Sequence, residues 1–140
     1  MNSRKVELRP INMYKILDNL ATHALGKPFF LYSYVDCEIG LIDDFRIIDV
    51  RILNDLNISA SECKLNIMRA TSYLELGKKV VICCSHGMNR SNTIALGVLV
   101  QYFKMDFYKA WELIDSKVPI CNITIGNIMT LAKMFNVKFP

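Results

Sequence analysis

Val80-Val81-Ile82-Cys83-Cys84-Ser85-His86-Gly87-Met88-Asn89-Arg90-Ser91 is the stretch on which the fold turns. Lys79–Cys84 is a continuous apolar, β-branched run, the composition of a strand buried on both faces inside a parallel sheet. Ser85–Asn89 follows as a Gly-containing loop, and the pattern from Ser91 to about Phe103 is helical. A loop between a buried strand and a helix N-terminus turns several backbone N–H groups inward. With the helix dipole they make an anion site of phosphate size. Gly87 lets that loop curl without a Cβ in the way. Arg90, entering the helix, can hold two phosphate oxygens with its planar fork.

Cys84 stands at the start of the loop, at the foot of such a cradle. The inward donors and Arg90 favour its thiolate, a strong nucleophile toward phosphorus. Ser91 is placed to donate to the sulfur and ease its departure. Ser85, His86, Gly87, Met88 and Asn89, together with Arg90, are the expected phosphate-binding positions. Cys83 points away from Cys84 if the strand alternates, and belongs to the core.

Working outward, Ser59 through Leu76 is expected to be a helix, with Ser59 as N-cap and Glu62 completing a capping box. Leu65, Met68, Ala70, Tyr73 and Leu76 form an imperfect apolar stripe on it, and Gly77 closes it. Phe45–Leu53 and Phe29–Val35 read as strands, and Asn54–Asn57 has turn composition. The first 30 residues predict a helix around Asn12–Leu25, closed by Gly26 with Pro28 beyond. Beyond the loop, Asp106–Lys117 is a helix with Asp106 as N-cap, Pro119 follows it, and Ile123–Phe135 is the last helix. Phe107, Tyr108 and Trp111 are expected to contact the preceding helix. The pair Asp43-Asp44 reads as a turn. The order predicts an α/β domain with helices covering a partly parallel central sheet.

With 140 residues, 52% hydrophobic and 21% charged, the chain suits one globular domain spanning 1–140. Its longest apolar runs, Thr93–Val100 and Val80–Cys84, fall short of the roughly 18 residues of a membrane span. The opening MNSRKVELRP lacks a signal-peptide core, so a cytoplasmic protein with no membrane association is expected. The five cysteines are an odd number with two adjacent, which suits reduced thiols better than a disulfide framework. The net charge of +4 is spread out, apart from Arg4-Lys5 and Lys78-Lys79; it suits an anionic ligand and is too weak to argue nucleic-acid binding. His23 stands alone, no Cys-x-x-Cys pair occurs, and no metal or cofactor is expected.

The sequence Cys84-x-x-Gly87-x-x-Arg90-Ser91, after a buried strand and before a helix, resembles the signature of the cysteine-dependent protein phosphatases, specifically the small dual-specificity type. The resemblance covers residues 46–135. In low-molecular-weight tyrosine phosphatases the loop lies near the N-terminus, whereas here it lies at 84–90 with helices after it. Rhodaneses and arsenate reductases have related loops, but the placement of Gly87 and Ser91 favours the phosphatase. The family signature carries a His before the nucleophile, where this chain has Cys83.

The resemblance implies a general acid, an Asp on a loop well upstream that protonates the leaving oxygen and then activates water. Asp55, 29 residues before Cys84 and between a strand and a helix, fits that place. Asp49 is the second candidate, but it sits inside the alternation of a strand. The resemblance further implies phosphorylated proteins or peptides as substrates. Lysines expected of phosphoinositide phosphatases are missing from the loop. Cys84-Ser85-His86-Gly87-Met88-Asn89-Arg90-Ser91 is also similar to the loop of RNA 5′-triphosphatases, in which case His86 would meet a second phosphate of an RNA 5′ end. Two non-enzymatic classes stand beside these: a phosphate-reading module without turnover, and a thiol redox sensor built on Cys83 and Cys84.

Overall fold

The computed structural model describes residues 13–24 and 45–138. A four-stranded mixed sheet is built from β1 (Met13–Leu17), β2 (Leu20–Ala24), β3 (Phe45–Asp49) and β4 (Lys79–Cys84), in the order β1-β2-β4-β3. Four helices accompany it: α1 (Ala60–Glu75), α2 (Arg90–Gln101), α3 (Phe107–Lys117) and α4 (Ile125–Met134). The expected α/β class with a partly parallel sheet is what the chain adopts. β4 runs parallel to both β2 and β3, which flank it, and only β1 is antiparallel to its neighbour. β3, α1 and β4 form a βαβ unit.

The alternation of β4 divides the core. Val80, Ile82 and Cys84 join the large cluster that holds Ile67 of α1, Ile94 and Leu96 of α2, Ile114 of α3 and Leu131 of α4. Val81 and Cys83 turn to the other face, with Ala21 and Phe45. Cys83 and Cys84 therefore sit in different apolar clusters, and Cys63, Cys84 and Cys121 are free thiols. Among the described residues, no helix is long and apolar enough to cross a membrane.

Several local expectations are corrected. Residues 13–24 of the predicted Asn12–Leu25 helix form the β1–β2 hairpin, in register Met13↔His23 and Leu17↔Leu20 around Asp18-Asn19. Met13, Ile16, Leu17, Leu20 and Ala24 do fall at helical spacing. However, β2 is buried along almost its whole length, so no period-2 alternation marks it. The apolar stripe of α1 is Cys63, Ile67, Ala70 and Leu74 with the buried Asn66, while Leu65, Met68 and Leu76 face solvent. The Phe45–Leu53 strand ends early, because the Asp49 carboxylate accepts from the Arg51 backbone N–H at 3.0 Å and turns the chain.

The two N-caps expected from the sequence, Ser59 and Asp106, are present, and Thr124 is a third. Ser59 Oγ accepts from Glu62 N at 3.2 Å, and Gly77 follows α1 with φ +77°. Asp106 accepts from Lys109 N at 3.1 Å, and Thr124 caps α4 through Asn127 N. Of the α3 aromatics, Phe107 is core and Trp111 packs against it. Tyr108 is instead exposed, its hydroxyl donating to the Lys138 carbonyl. The strand expected at Phe29–Val35, the Asp43-Asp44 turn, and the Gly26 and Pro28 signals lie outside the described residues.

Candidate active site

The loop Ser85–Asn89 leaves the C-terminal end of β4 and enters α2 at Arg90. Such a position, beyond the carboxyl ends of parallel strands, is where open α/β sheets bind ligands. Gly87 has φ +72°, and a Cβ there would stand 3.2 Å from Ala24 Cβ and 3.2 Å from Ile120 Cδ1. The backbone conformation favours glycine, and a Cβ there would push Ala24 or Ile120 aside by a few tenths of an ångström. The Gly87 N–H donates to Cys84 Sγ at 3.2 Å, and Ser91 Oγ lies 3.2 Å from the same sulfur.

Asn92, completely buried behind the loop, donates through Nδ2 to the carbonyls of both Gly87 and Met88 at 2.9 Å. The Met88 carbonyl also accepts from Asn122 N at 2.7 Å. In a trans peptide the N–H points opposite to the preceding carbonyl, so these contacts turn the Met88 and Asn89 N–H groups the other way. Asn92 thus shapes the loop from behind. No motif arithmetic pointed to it.

Arg90 is buried and steered by main chain, its Nη1 donating to the Arg51 carbonyl at 2.5 Å and to that of Leu53 at 3.4 Å. Its Nε stands 3.4 Å from Asp55 Oδ1. Asp55 and Asp49, the two acid candidates, lie in opposite circumstances. Asp49 is buried in an ion pair with Arg51, with Nη2 to Oδ2 at 2.6 Å and Nε within 3.0 Å of both oxygens. The side chain of Asp55 is 57% exposed and lines a cavity with Cys84, His86, Met88, Asn89, Arg90, Asn122 and Thr124. That cavity measures about 150 Å³.

The structure thus brings Cys84, His86, Met88, Asn89, Arg90 and Asp55 to one cavity, with Ser91 behind the sulfur and Asp49 turned elsewhere. Asn89 departs from the expected arrangement in one respect: its side chain faces the Asp55 loop and α4. Nδ2 donates to the Asp55 carboxylate at 3.2 Å and to the Asp55 carbonyl, and Oδ1 accepts from Thr124 N at 3.0 Å. Asn122 and Thr124 join the lining from a segment that sequence reading marked only as the approach to the last helix.

The other thiols differ from Cys84 in their surroundings. Burial, with a smaller push from the Glu62 charge, raises Cys63 to about 11. Burial, the Asp115 charge and a hydrogen bond to Asp115 raise Cys121 to about 12, partly offset by the Ile123 N–H. Both are thiols at neutral pH. Among the described residues no group of three His, Cys, Asp or Glu is arranged to hold a metal ion.

No family model matches the chain. It is 30% identical over 101 residues, 68% of its length, to MAP kinase phosphatase with leucine-rich repeats protein 3 of Dictyostelium discoideum, and it spans 11% of that protein. Similar solved structures include Tk-PTP in its active form, at TM-score 0.71 and 14% identity, covering 91% of this chain and 99% of that one. PTPMT1 in complex with PI(5)P is similar at TM-score 0.70 and 15% identity, covering 89% and 95%. At such identities the likeness is one of fold.

Proposed function

We propose that this chain, which has the fold of the dual-specificity and tyrosine phosphatases of the protein tyrosine phosphatase superfamily, hydrolyses phosphomonoesters through a phosphocysteine intermediate. The carrying observation is the sulfur of Cys84, which has the Gly87 N–H and the Ser91 hydroxyl at 3.2 Å and shares one cavity with Arg90 and Asp55.

In the first step the Cys84 thiolate attacks phosphorus. The P–S bond forms as the ester P–O bond breaks, and Asp55 gives its proton to the departing oxygen. Arg90 and the loop N–H groups carry the charge on the non-bridging oxygens. In the second step the Asp55 carboxylate takes a proton from water, whose oxygen attacks phosphorus. The P–S bond breaks and the sulfur leaves as thiolate, eased by Ser91. Asp55 suits the acid–base role because it lines the cavity, whereas the Asp49 carboxylate is occupied by Arg51.

Phosphotyrosine, phosphoserine and phosphothreonine in proteins are the proposed substrates, acted on in the cytoplasm. The relative from Dictyostelium discoideum, a MAP kinase phosphatase by name, supports this choice. His86, which lines the cavity, favours an RNA 5′ end as the second reading. The deciding experiment is a panel of phosphopeptides, a phosphoinositide and 5′-triphosphate RNA, assayed with the wild-type protein and with Cys84→Ser. Turnover of phosphopeptides that disappears in the variant is expected. Turnover that persists in Cys84→Ser would place the nucleophile elsewhere, and exclusive turnover of the RNA would replace the substrate class.

A further inference from the structure

Asn127 lies completely buried in the first turn of α4, and both polar atoms of its side chain are engaged. Its Oδ1 accepts from the Ile58 backbone N–H at 2.8 Å. Its Nδ2 donates to Asn89 Oδ1 at 3.1 Å and to Thr93 Oγ1 at 3.2 Å. The orientation of Asn89 is fixed in turn, because its Oδ1 also takes the Thr124 N–H, leaving only Nδ2 to face the Asp55 carboxylate and carbonyl. Thr124 Oγ1 holds the Leu56 carbonyl at 3.0 Å. The segment carrying Asp55 is therefore tied at Leu56 and Ile58 to α4, and at Asp55 itself to the phosphate loop. Asn54, Asp55, Leu56 and Asn57 are all exposed, and besides these ties the segment has a turn in which Asn54 Oδ1 accepts from the Leu56 and Asn57 N–H groups, the Arg90 Nε beside Asp55, and the buried Ile58 side chain.

We infer that Asn127, acting through Asn89 and helped by Thr124, is the positioning residue for Asp55, holding its carboxyl at the cavity that it shares with Cys84. This rests on the reading of Asp55 as general acid. A buried amide is costly unless all its hydrogen bonds are made, so the site tolerates one amide orientation, and that orientation propagates to Asp55. Misplacing a reacting group by about 1 Å can cost on the order of 10²-fold in rate.

The test compares an alkyl phosphate, a poor leaving group, with a nitrophenyl phosphate, a good one. Asn127→Ala is expected to lose about tenfold or more in kcat/KM on the alkyl ester and about twofold or less on the aryl ester. In an Asp55→Ala background the same change is expected to do nothing further to the leaving-group dependence. Equal losses on both esters, or an undiminished loss without Asp55, would overturn the inference. Should Asn127→Ala not fold, Thr124→Val carries the same comparison with a smaller selective loss. A wild-type protein that turns over no ester refutes the parent reading. The tether is then judged by amide hydrogen exchange at Leu56 and Ile58. Faster exchange in the Asn127 variant supports it, and unchanged exchange sinks it.

Discussion

The loop at Ser85–Asn89 and the loop at Asn54–Ile58 face each other across one cavity, yet they are held by different means. Besides its distant ties to Asn122, Thr124 and Asn127, the first is held by its neighbours in the chain: Cys84 with Ser91, Gly87 with Cys84, and Asn92 with Gly87 and Met88, at separations of three to seven residues. The second is held from afar, by Asn89, Thr124 and Asn127 at separations of 34 to 69 residues. The groups proposed to bind and attack phosphate thus lie in one short segment. The group proposed to move the proton depends on the assembled fold.

That contrast can be broken at several points. The largest effect is expected from Cys84→Ser, which removes the proposed nucleophile. Hydrolysis of an aryl phosphate should fall to background while circular dichroism and the unfolding midpoint stay unchanged. Arg90→Lys should cost on the order of 10²-fold or more in kcat/KM, since an ammonium cannot reproduce the fork that carries transition-state charge. Asp55→Ala should cost about 10²- to 10⁴-fold on poor leaving groups and far less on good ones, with a phosphocysteine detectable by mass spectrometry.

Asp49→Ala sharpens the comparison from the other side. It leaves Arg51 buried without its carboxylate, so about 3–5 kcal/mol of stability should be lost in urea unfolding. The leaving-group dependence should remain as in the wild type, and a steeper dependence would transfer the acid role to Asp49. Away from the site, Gly97→Ala puts a methyl 2.2 Å from Ile67 Cδ1, where α1 and α2 meet. The repacking should cost about 1–3 kcal/mol, partly offset by the better helix propensity of Ala, and leave kcat untouched.

A last effect, away from the site, is that of pH. Cys63 and Cys121 titrate higher in the folded state than the ordinary 9.0. Their contribution is complete below 9 and is lost as pH rises toward 11 and 12, because the unfolded chain releases those protons first. A declining urea midpoint above pH 9 checks it. Near neutral pH, iodoacetamide should modify Cys84 well before either of these two.

What the sequence made legible follows the same division. Strand, loop and helix around Cys84 could be read because their determinants are contiguous: the apolar run Lys79–Cys84, then Gly87, Arg90 and Ser91. Asp55 could be put forward only through a family resemblance, and its supports, Asn89 and Asn127, could not be recognised. A buried asparagine carries no mark in sequence that separates it from a surface one. The β1–β2 hairpin was lost for a related reason. Leu20, Ala21, Thr22 and His23 are all buried by the sheet around them, and that environment cancels the polar alternation by which a strand is known. The α1 stripe misled because Leu65, Met68 and Leu76 are apolar and yet lie in water.

Gly87 is pressed between Ala24, at the end of the hairpin, and Ile120, in the segment after α3. Both neighbours come from outside the motif, and they grip it from two sides. Under the proposed function, these two neighbours restrain the loop before an anion arrives. Capture of inorganic phosphate or vanadate should then proceed in a single kinetic phase, paced by encounter and not by rearrangement of the loop.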